Sequence, residues 1–298
     1  MMLRPVSLSV VAFVVLPLFT AAAHGESILL SDLASFGVLG ASAVTNVPTS
    51  TVVGNVGVAP GSSITGFNST PGVAVADPQV TRGLVHATTA VAARAQQNLT
   101  IARSQLALFG PGTLLGADLA GLTLRAGVYS VPAGVSNLTG RLTLDGGGRA
   151  DALWVFQMPS TFITSAGSVV DVIGTGSSAG LYWNVGSSAT LGTTTSFQGN
   201  LLALTSISLN TGATIGCGRA LANTGAVTMD MNTVSIGCAG SPGMGTNGFS
   251  GGSVPTDGGT PSPVPEPTTW LLSSIALAGL IARARKNRIV GAPATATP

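Results

Sequence analysis

The sequence predicts an all-β fold, an irregular β-solenoid with one long α-helix packed alongside it. Hydrophobic residues make up 45% of the 298 residues, only 7% are charged, and 41 are glycine. That composition is typical of many short strands joined by tight turns. A unit of about 19 residues also recurs in the C-terminal half, and a single segment before it has helical periodicity.

The repeat begins at Gly180, Gly199 and Gly218, with an earlier copy at Ala152. Each unit opens with a strand that is apolar on both faces, which indicates burial on both faces. The next strand alternates, as in Ser206-Ile207-Ser208-Leu209, so its apolar residues face inward and its small hydroxylated residues face outward. Regular units of this length predict coils that stack on their neighbours.

Residues 78–108 carry apolar residues at helical intervals. The segment follows Asp77-Pro78 and precedes Gly110-Pro111-Gly112, which are suitable start and stop signals. We therefore expect one long amphipathic helix over about 78–108, which includes His86 and covers the doubly apolar strands.

Two cysteines, Cys217 and Cys238, each follow an Ile-Gly pair at equivalent places in adjacent units. Stacked coils lie about 4.7–4.9 Å apart, within the usual Cα separation of a disulfide, about 4.4–6.8 Å. In an exported chain this spacing favours a coil-to-coil disulfide over a metal pair or a reactive thiol.

The two ends of the chain differ from its middle. Arg4, the apolar run from Leu8 to Phe19 and the small residues Ala21-Ala22-Ala23 are the parts of a secretory signal peptide. We expect five segments: a signal peptide 1–25, a solenoid domain 26–240, a Gly/Pro/Ser-rich linker 241–263, a sorting signal 264–288 and a short extension 289–298.

The sorting signal is identified by resemblance. Pro265, Glu266 and Pro267 precede an apolar stretch and a basic cluster, an order that resembles the PEP-CTERM signals of Gram-negative bacteria. The resemblance implies a sorting protease at the inner membrane as a partner, a secreted or cell-surface location and an association with exopolysaccharide. The alternative is an ordinary transmembrane helix, for which the apolar stretch is short.

The chemistry-bearing residues argue against catalysis. No Ser-His-Asp or Cys-His set can be assembled, so we predict no catalytic residues and no enzyme. Asp151 and Asp171, about one coil apart, leave a solenoid polysaccharidase as a minor alternative. We expect no metal and no cofactor, and the nine acidic and seven basic residues of 26–263 give a net charge of −2, which disfavours a nucleic-acid partner.

The alternating strands instead predict a flat surface. Outward residues at i and i+2 lie about 6.6–6.8 Å apart, and the pattern repeats at the coil spacing. Such an array combines methyl and hydroxyl groups without charge and can order water in register with ice. The outward residues are Thr161, Ser188, Thr190, Ser206, Ser208 and Thr228.

From Leu30 to Cys238 the sequence resembles the bacterial and fungal ice-binding family of the DUF3494 type. The matching stretches include Phe36-Gly37-Val38-Leu39, Gly54-Asn55-Val56-Gly57-Val58-Ala59-Pro60-Gly61, Trp154-Val155-Phe156-Gln157, Gly186-Ser187-Ser188-Ala189-Thr190-Leu191-Gly192 and Gly218-Arg219-Ala220-Leu221. The resemblance implies a three-sided solenoid with a helix along one side. It also implies adsorption to ice through a face rich in Thr, Ser and Ala.

The family motif Thr-(Ala/Gly)-x-(Thr/Asn) matches Thr211-Gly212-Ala213-Thr214, so Thr211 and Thr214 join the predicted ice-binding residues. The matching place at Thr224-Gly225-Ala226-Val227 departs from it. Two functions follow: a monomeric, exported protein that inhibits ice growth or recrystallisation, or a biofilm-matrix protein whose solenoid contacts exopolysaccharide.

Overall fold

The computed structural model describes residues 27–238 and 245–253, which form short parallel strands stacked in coils. The predicted signal peptide 1–25, sorting signal 264–288 and extension 289–298 lie outside the described residues.

The described chain contains two helices, α1 (Ser31–Ala34) and α2 (Ala90–Ala107). The strands in chain order are β1 (Phe36–Gly40), β2 (Ala43–Val47), β3 (Thr51–Val53), β4 (Asn55–Val58), β5 (Ser63–Thr65), β6 (Ala74–Val75), β7 (Val80–Thr81), β8 (Val85–Ala87), β9 (Thr113–Leu114), β10 (Thr123–Arg125), β11 (Gly127–Ser130), β12 (Ser136–Leu138), β13 (Arg141–Arg149), β14 (Leu153–Met158), β15 (Phe162–Thr164), β16 (Val169–Thr175), β17 (Gly180–Val185), β18 (Ala189–Leu191), β19 (Ser196–Ala203), β20 (Ile207–Leu209), β21 (Thr214–Ala222), β22 (Val227–Asp230) and β23 (Thr233–Ser235).

The coils have three sides. Side A holds β8, β4, β1, the second halves of β21 and β19, then β17, β14, β11 and β9. Side B is the seven-stranded sheet β12-β15-β18-β20-β22-β2-β5. Side C holds β10, β13, β16, the first halves of β19 and β21, then β23, β3 and β7. Within β21 the chain turns from side C to side A at Gly218, where a Cβ would lie 1.9 Å from the carbonyl oxygen of Gly199.

Side A is apolar on both faces because it is packed on both faces. Inward residues such as Trp154 and Trp183 fill the solenoid interior, where the Trp183 ring stacks on that of Phe156 at 4.1 Å between centroids. Outward residues such as Tyr182 and Leu202 form a second core with the apolar stripe of α2. The prediction that the helix covers the doubly apolar strands is therefore confirmed.

The coils do not follow one another in chain order. The first coil is inserted beside the last, through the parallel pairs β1–β21, β2–β22 and β3–β23. The chain then builds the end of the solenoid that contains β5 and β8, and α2 carries it back along side A to the opposite end. Its 18 residues span about 27 Å, five to six coil spacings. Neither described helix has the length and apolar character needed to cross a membrane.

The helix begins at Ala90, twelve residues later than predicted. The hydroxyl of its N-cap residue, Thr89, accepts a hydrogen bond from the backbone N–H of Ala92 at 3.2 Å. The preceding residues form β7 and β8 instead, so the assignment of His86 to the helix was wrong. Pairing with β3 and β4 outweighs local periodicity here, because these short strands complete the ladder of the end coil.

The predicted linker is also wrong in part. Residues 245–253, which we call the C-terminal strap, pack against the solenoid, so the domain extends beyond 240. Phe249 is fully buried, and its carbonyl oxygen accepts hydrogen bonds from the Leu181 N–H (3.1 Å) and the Asn200 side-chain amide (2.8 Å). Alternation in the sequence does not reveal the strap, because its backbone is irregular and bonds to residues at the edge of side A.

The disulfide joins Cys217 to Cys238, whose Cα atoms are 4.4 Å apart. Both cysteines are fully buried, and the Thr246 hydroxyl of the strap lies 3.7 Å from each sulfur. The bond therefore links adjacent coils directly beneath the strap.

Arg219 is fully buried where three separate segments meet. Its guanidinium donates to the carbonyl oxygens of Ala34 (2.6 Å), Asn247 (2.9 Å) and Gly248 (3.2 Å) and to the Asn200 side-chain oxygen (2.7 Å). Burial lowers the pKa of Arg219 to about 10, so the group stays charged at neutral pH. It thereby ties the N-terminal segment and the strap to the central coils.

We expect Arg219→Met to lower the free energy of unfolding by about 3 kcal/mol or more, because several buried carbonyl oxygens lose their donor. Denaturant unfolding followed by circular dichroism measures the change. Arg149→Met is the control, since the Arg149 side chain is exposed and, among the described residues, bonds only to exposed Asp151. This variant should fall within about 0.5 kcal/mol of the wild type. Equal unfolding midpoints for both variants would contradict this role of Arg219.

Replacing both cysteines by serine should lower the free energy of unfolding by about 2–4 kcal/mol, because the bond closes a 21-residue separation in the unfolded chain. Wild-type protein unfolded in the presence of reductant should match the double variant. Unchanged stability in both experiments would exclude a stabilising role for the bond.

Candidate functional site

Side B is the side of the solenoid that consists of short strands with alternating burial. Its strands alternate in burial: Ala189 and Leu191 of β18 are buried and Thr190 between them is accessible, and β20 repeats the pattern around Ser208. The inward residues fill the core of the coils, so the residue between them must point outward. The outward side chains of neighbouring strands therefore lie beside one another along the sheet.

These outward residues form a row across the sheet, which we call the central column. The strand register aligns one member per strand, from β12 to β5: Asn137, Ile163, Thr190, Ser208, Thr228, Thr45 and Thr65. Five consecutive members carry hydroxyl groups.

A second row lies two residues before the central column in the sequence of each coil, and we call it the leading column. The backbone N–H groups of Phe162, Ala189 and Ile207 donate to the carbonyl oxygens of Ser188, Ser206 and Ala226 on the next strand. These bonds extend the strand register to the residue before each strand. The members from β15 to β5 are Thr161, Ser188, Ser206, Ala226, Ala43 and Ser63. None of the residues in the two columns is charged.

The hydroxyls of the two columns differ in their hydrogen bonds. In the leading column, the Ser188 hydroxyl accepts from the Ser206 N–H at 3.3 Å, and the Ser206 hydroxyl accepts from the Ala226 N–H at 3.2 Å. Within the described residues, the five hydroxyls of the central column bond to no protein group. Ser188 and Ser206 of the leading column therefore help to hold the coils together, whereas the hydroxyls of the central column are left to water.

The structure places six of the eight predicted residues on side B, namely Thr161, Ser188, Thr190, Ser206, Ser208 and Thr228. Thr161 stands before β15 in the leading column, and the outward residue of that strand is Ile163. The central column is therefore less hydroxylated at this end than the sequence pattern indicated.

Thr211 and Thr214 do not belong to side B. Thr211 lies at the corner between sides B and C, where its hydroxyl donates to the Asp230 carboxylate. Thr214 lies on side C and donates to the Thr195 carbonyl oxygen at 3.3 Å. The chain turns at Gly212, whose φ is +70°, so the four-residue motif spans a corner and cannot present both threonines on one face.

Sequence reasoning missed Thr45 and Thr65, which occupy the central column on β2 and β5. Their strands show the same alternation, Val44-Thr45-Asn46 and Ile64-Thr65-Gly66, so a local signal was present. They are far from the C-terminal repeats in sequence, and only the insertion of the first coil beside the last brings them into the row.

The other two sides offer no comparable surface. Side A is covered by α2. Side C carries charged side chains, including the ion pairs Arg141–Asp171 and Arg125–Asp145, both at 3.0 Å. In the described part of the chain, no group of three or more His, Cys, Asp or Glu side chains could hold a metal ion.

The architecture defines the class of protein, a three-sided β-solenoid with a helix along one side and a sheet that bears a row of outward hydroxyl groups on another. Solved structures share the fold. An ice-binding protein from an Antarctic biological consortium has a TM-score of 0.63 and 36% identity, over 74% of this chain and 96% of that one. A glycosylated ice-binding protein from an Arctic yeast has a TM-score of 0.64 and 31% identity, over 71% and 95%.

Sequence comparison gives the family. A family model described as ice-binding-like matches residues 38–235. The ice-binding protein of Nostoc sp. (strain HG1) is 46% identical over 77% of this chain and 82% of its own length. That of Leucosporidium sp. (strain AY30) is 34% identical over 66% and 79%. The chain belongs to the ice-binding-like family, as the sequence motifs predicted.

A second family model, the PEP-CTERM protein-sorting motif, matches residues 263–286. The prediction of a sorting signal around Pro265-Glu266-Pro267 is confirmed, and the motif indicates export and C-terminal sorting in a Gram-negative bacterium.

The two columns should respond differently to the same substitution. Ser206→Ala should lower the free energy of unfolding by about 0.5–1.5 kcal/mol, because the Ala226 N–H loses its acceptor. Ser208→Ala, two residues further along, should stay within about ±0.5 kcal/mol of the wild type. Thermal or denaturant unfolding measures both. Equal losses would show that the leading hydroxyls hold no coil contact.

Proposed function

We propose that the exported protein adsorbs to ice through side B and inhibits ice growth or recrystallisation. The observation that carries the proposal is the central column, in which five consecutive hydroxyls face outward on one sheet and have no partner among the residues that the structure describes. Membership of the ice-binding-like family supports it.

The geometry suits a lattice of water molecules. The two columns are separated by about 6.6–6.8 Å, and neighbouring strands by about 4.7–4.9 Å. Each free hydroxyl can hold one water molecule, and the adjacent methyl groups of threonine and alanine leave that water no competing partner on the protein. Neither column carries a charge, and the carboxylate of Asp230, at the end of β22, is bonded by the Thr211 hydroxyl at the corner of the face, so no strongly hydrated ion lies within the columns.

The extent of the face also supports adsorption. Seven strands at the coil spacing give a row about 30 Å long. Many weak contacts are made at once on such a surface, so a modest gain per hydroxyl sums to a stable attachment.

We infer that the protein is not an enzyme. His86 is buried on β8 beside the Phe36 ring, and burial lowers the pKa of its imidazole. The Arg149 side chain, through a hydrogen bond and its charge, lowers the pKa of the exposed Asp151 carboxyl, which makes that carboxyl a poor proton donor. Asp171 is paired with Arg141. These pairings support structural roles for the carboxylates of the polysaccharidase alternative.

Among partners, we propose ice for a monomeric solenoid and a sorting protease at the inner membrane for the tail. The biofilm-matrix alternative, in which the same solenoid contacts exopolysaccharide, receives no support from the family comparisons.

Ser208→Tyr and Thr190→Tyr should each abolish most recrystallisation inhibition, because one protruding ring lifts the surrounding columns away from the crystal. Their stability should stay within about ±0.5 kcal/mol of the wild type, since both positions face outward. Ice-recrystallisation assays and partition into a growing ice crystal measure the effect.

Thr233→Tyr is the matched control, because Thr233 is an exposed threonine at an outward position of side C. It should keep nearly full activity. If the control lost activity and the side B variants kept it, side C would be the binding face. A wild-type protein that neither partitions into ice nor slows recrystallisation would reject the proposed function.

A further inference from the structure

The C-terminal strap runs along one particular edge of the solenoid. We call the edge between sides C and A the CA edge, which in the β16–β17 coil consists of residues 176–179. The Gly251 N–H donates to the Ala179 carbonyl oxygen at 3.0 Å, and the Leu181 N–H donates to the Phe249 carbonyl oxygen at 3.1 Å. The strap thus binds the residues with which the chain enters side A.

The N-terminal segment reaches the same edge. Ser27 and Ser253 form an antiparallel bridge, and the Ala34 carbonyl oxygen accepts from Arg219, which also holds the strap. Both ends of residues 27–253 are therefore fixed together on the CA edge.

Each edge of a three-sided prism lies opposite one side. The CA edge is where sides C and A meet, so it is opposite side B. A chain that leaves the solenoid at Ser253 therefore leaves away from the side that carries the central column. An exit on either of the other two edges would put the attachment beside the flat face.

The strap is also held firmly. The Phe249 side chain is fully buried, the Arg219 guanidinium donates to the carbonyl oxygens of Asn247 and Gly248, and the disulfide lies directly beneath Thr246. A pull applied at Ser253 is therefore transmitted to the centre of the coils. The PEP-CTERM motif begins at residue 263, ten residues beyond Ser253.

From this arrangement we propose that the protein is a tethered ice adhesin, which attaches a surface to ice when it is held through its C-terminal tail. The surface is the envelope of the cell that sorts the protein. Held at the CA edge, the solenoid directs side B away from the surface and toward the crystal. This inference rests on the proposed function.

Attachment through single engineered cysteines tests the orientation. Ser177→Cys places a thiol on the CA edge, and Thr193→Cys places one on the edge between sides B and C. Both residues are exposed, and the two native cysteines are joined in a buried disulfide. The full chain carrying either variant is labelled with biotin-maleimide, bound at equal density to streptavidin beads and offered to a single ice crystal.

We expect beads that carry the Ser177→Cys protein to be retained at least tenfold more often than beads that carry the Thr193→Cys protein. A biotin-acceptor peptide added after Pro298 should behave like Ser177→Cys. Both labelled variants, free in solution, should partition into ice equally well.

Equal retention of the two kinds of bead would overturn the orientation. Failure of the Ser177→Cys beads, while the same protein in solution still enters ice, would overturn the tethering proposal and leave the proposed function standing. Exclusion of the soluble wild type from ice would reject both.

An experiment with whole cells tests whether the cell envelope is the surface that the protein attaches to ice. A Gram-negative host with the sorting machinery should adhere to ice at least tenfold more when it produces the full chain than when it produces a chain lacking residues 264–298. The truncated protein, collected from the medium, should still partition into ice. Equal adherence of the two strains would overturn attachment of the cell.

Discussion

The structure depends on one seam, the parallel backbone ladder between the first coil and the last. Three strand pairs form it, one on each side: β1–β21, β2–β22 and β3–β23. Without the seam, the sheet of side B would break into a group of five strands and a group of two. Because parallel strands must be joined by a long crossover, the seam also requires a connection that spans the solenoid, which α2 supplies. The helix is thus a consequence of the topology and not an addition to it.

The seam places particular demands on buried polar groups. Ser50, Asn46 and Asn232 link the coils beneath the corner between sides B and C, where the Ser50 hydroxyl donates to the Asn46 side-chain oxygen at 2.6 Å and accepts from the Asn232 N–H at 2.9 Å. At the CA edge, Arg219 performs the same task for three segments. Such networks are stabilising only when their members are satisfied, and here they fix the register of two pieces of chain that are remote in sequence.

The fold was predictable to the extent that its signals are local. Neighbouring residues carry the alternation around Ser208, and the Ile-Gly pairs show that Cys217 and Cys238 occupy equivalent places. The solenoid and its coil-to-coil disulfide could therefore be predicted. The start of the helix could not be predicted in this way, because Val80 fits a helical period but pairs with Val52 in the parallel sheet. The strap was missed because Phe249 is a single aromatic residue in a Gly-rich segment, and its partners lie on strands far upstream.

The candidate site shows the same division. Thr190, Ser208 and Thr228 could be placed from the repeat alone, since each is the middle residue of a short alternating strand. Thr45 and Thr65 could be placed in the row only once the pairing of the first coil with the last was known. Thr214 was assigned to the wrong side because the four-residue motif does not show that the chain turns at Gly212. The turns between strands determine which side a residue faces. Side membership in a solenoid is therefore a property of the turns, and periodicity within a strand cannot supply it.

The seam and the candidate site coincide in a way that bears on how the face acts. The five hydroxyls of the central column run across β18, β20, β22, β2 and β5, and the seam falls between Thr228 and Thr45. The middle of the face is thus the junction between the two ends of the domain. A flat array can match a crystal only if its rows do not shift, and a one-residue slip at this junction would turn Thr45 inward. The buried network at Ser50 and the Arg219 cluster stabilise the coils on either side of that junction. The Ser50 network therefore lies beside the part of the proposed ice-binding surface that can least tolerate movement, and Arg219 holds the same coils together from the opposite edge.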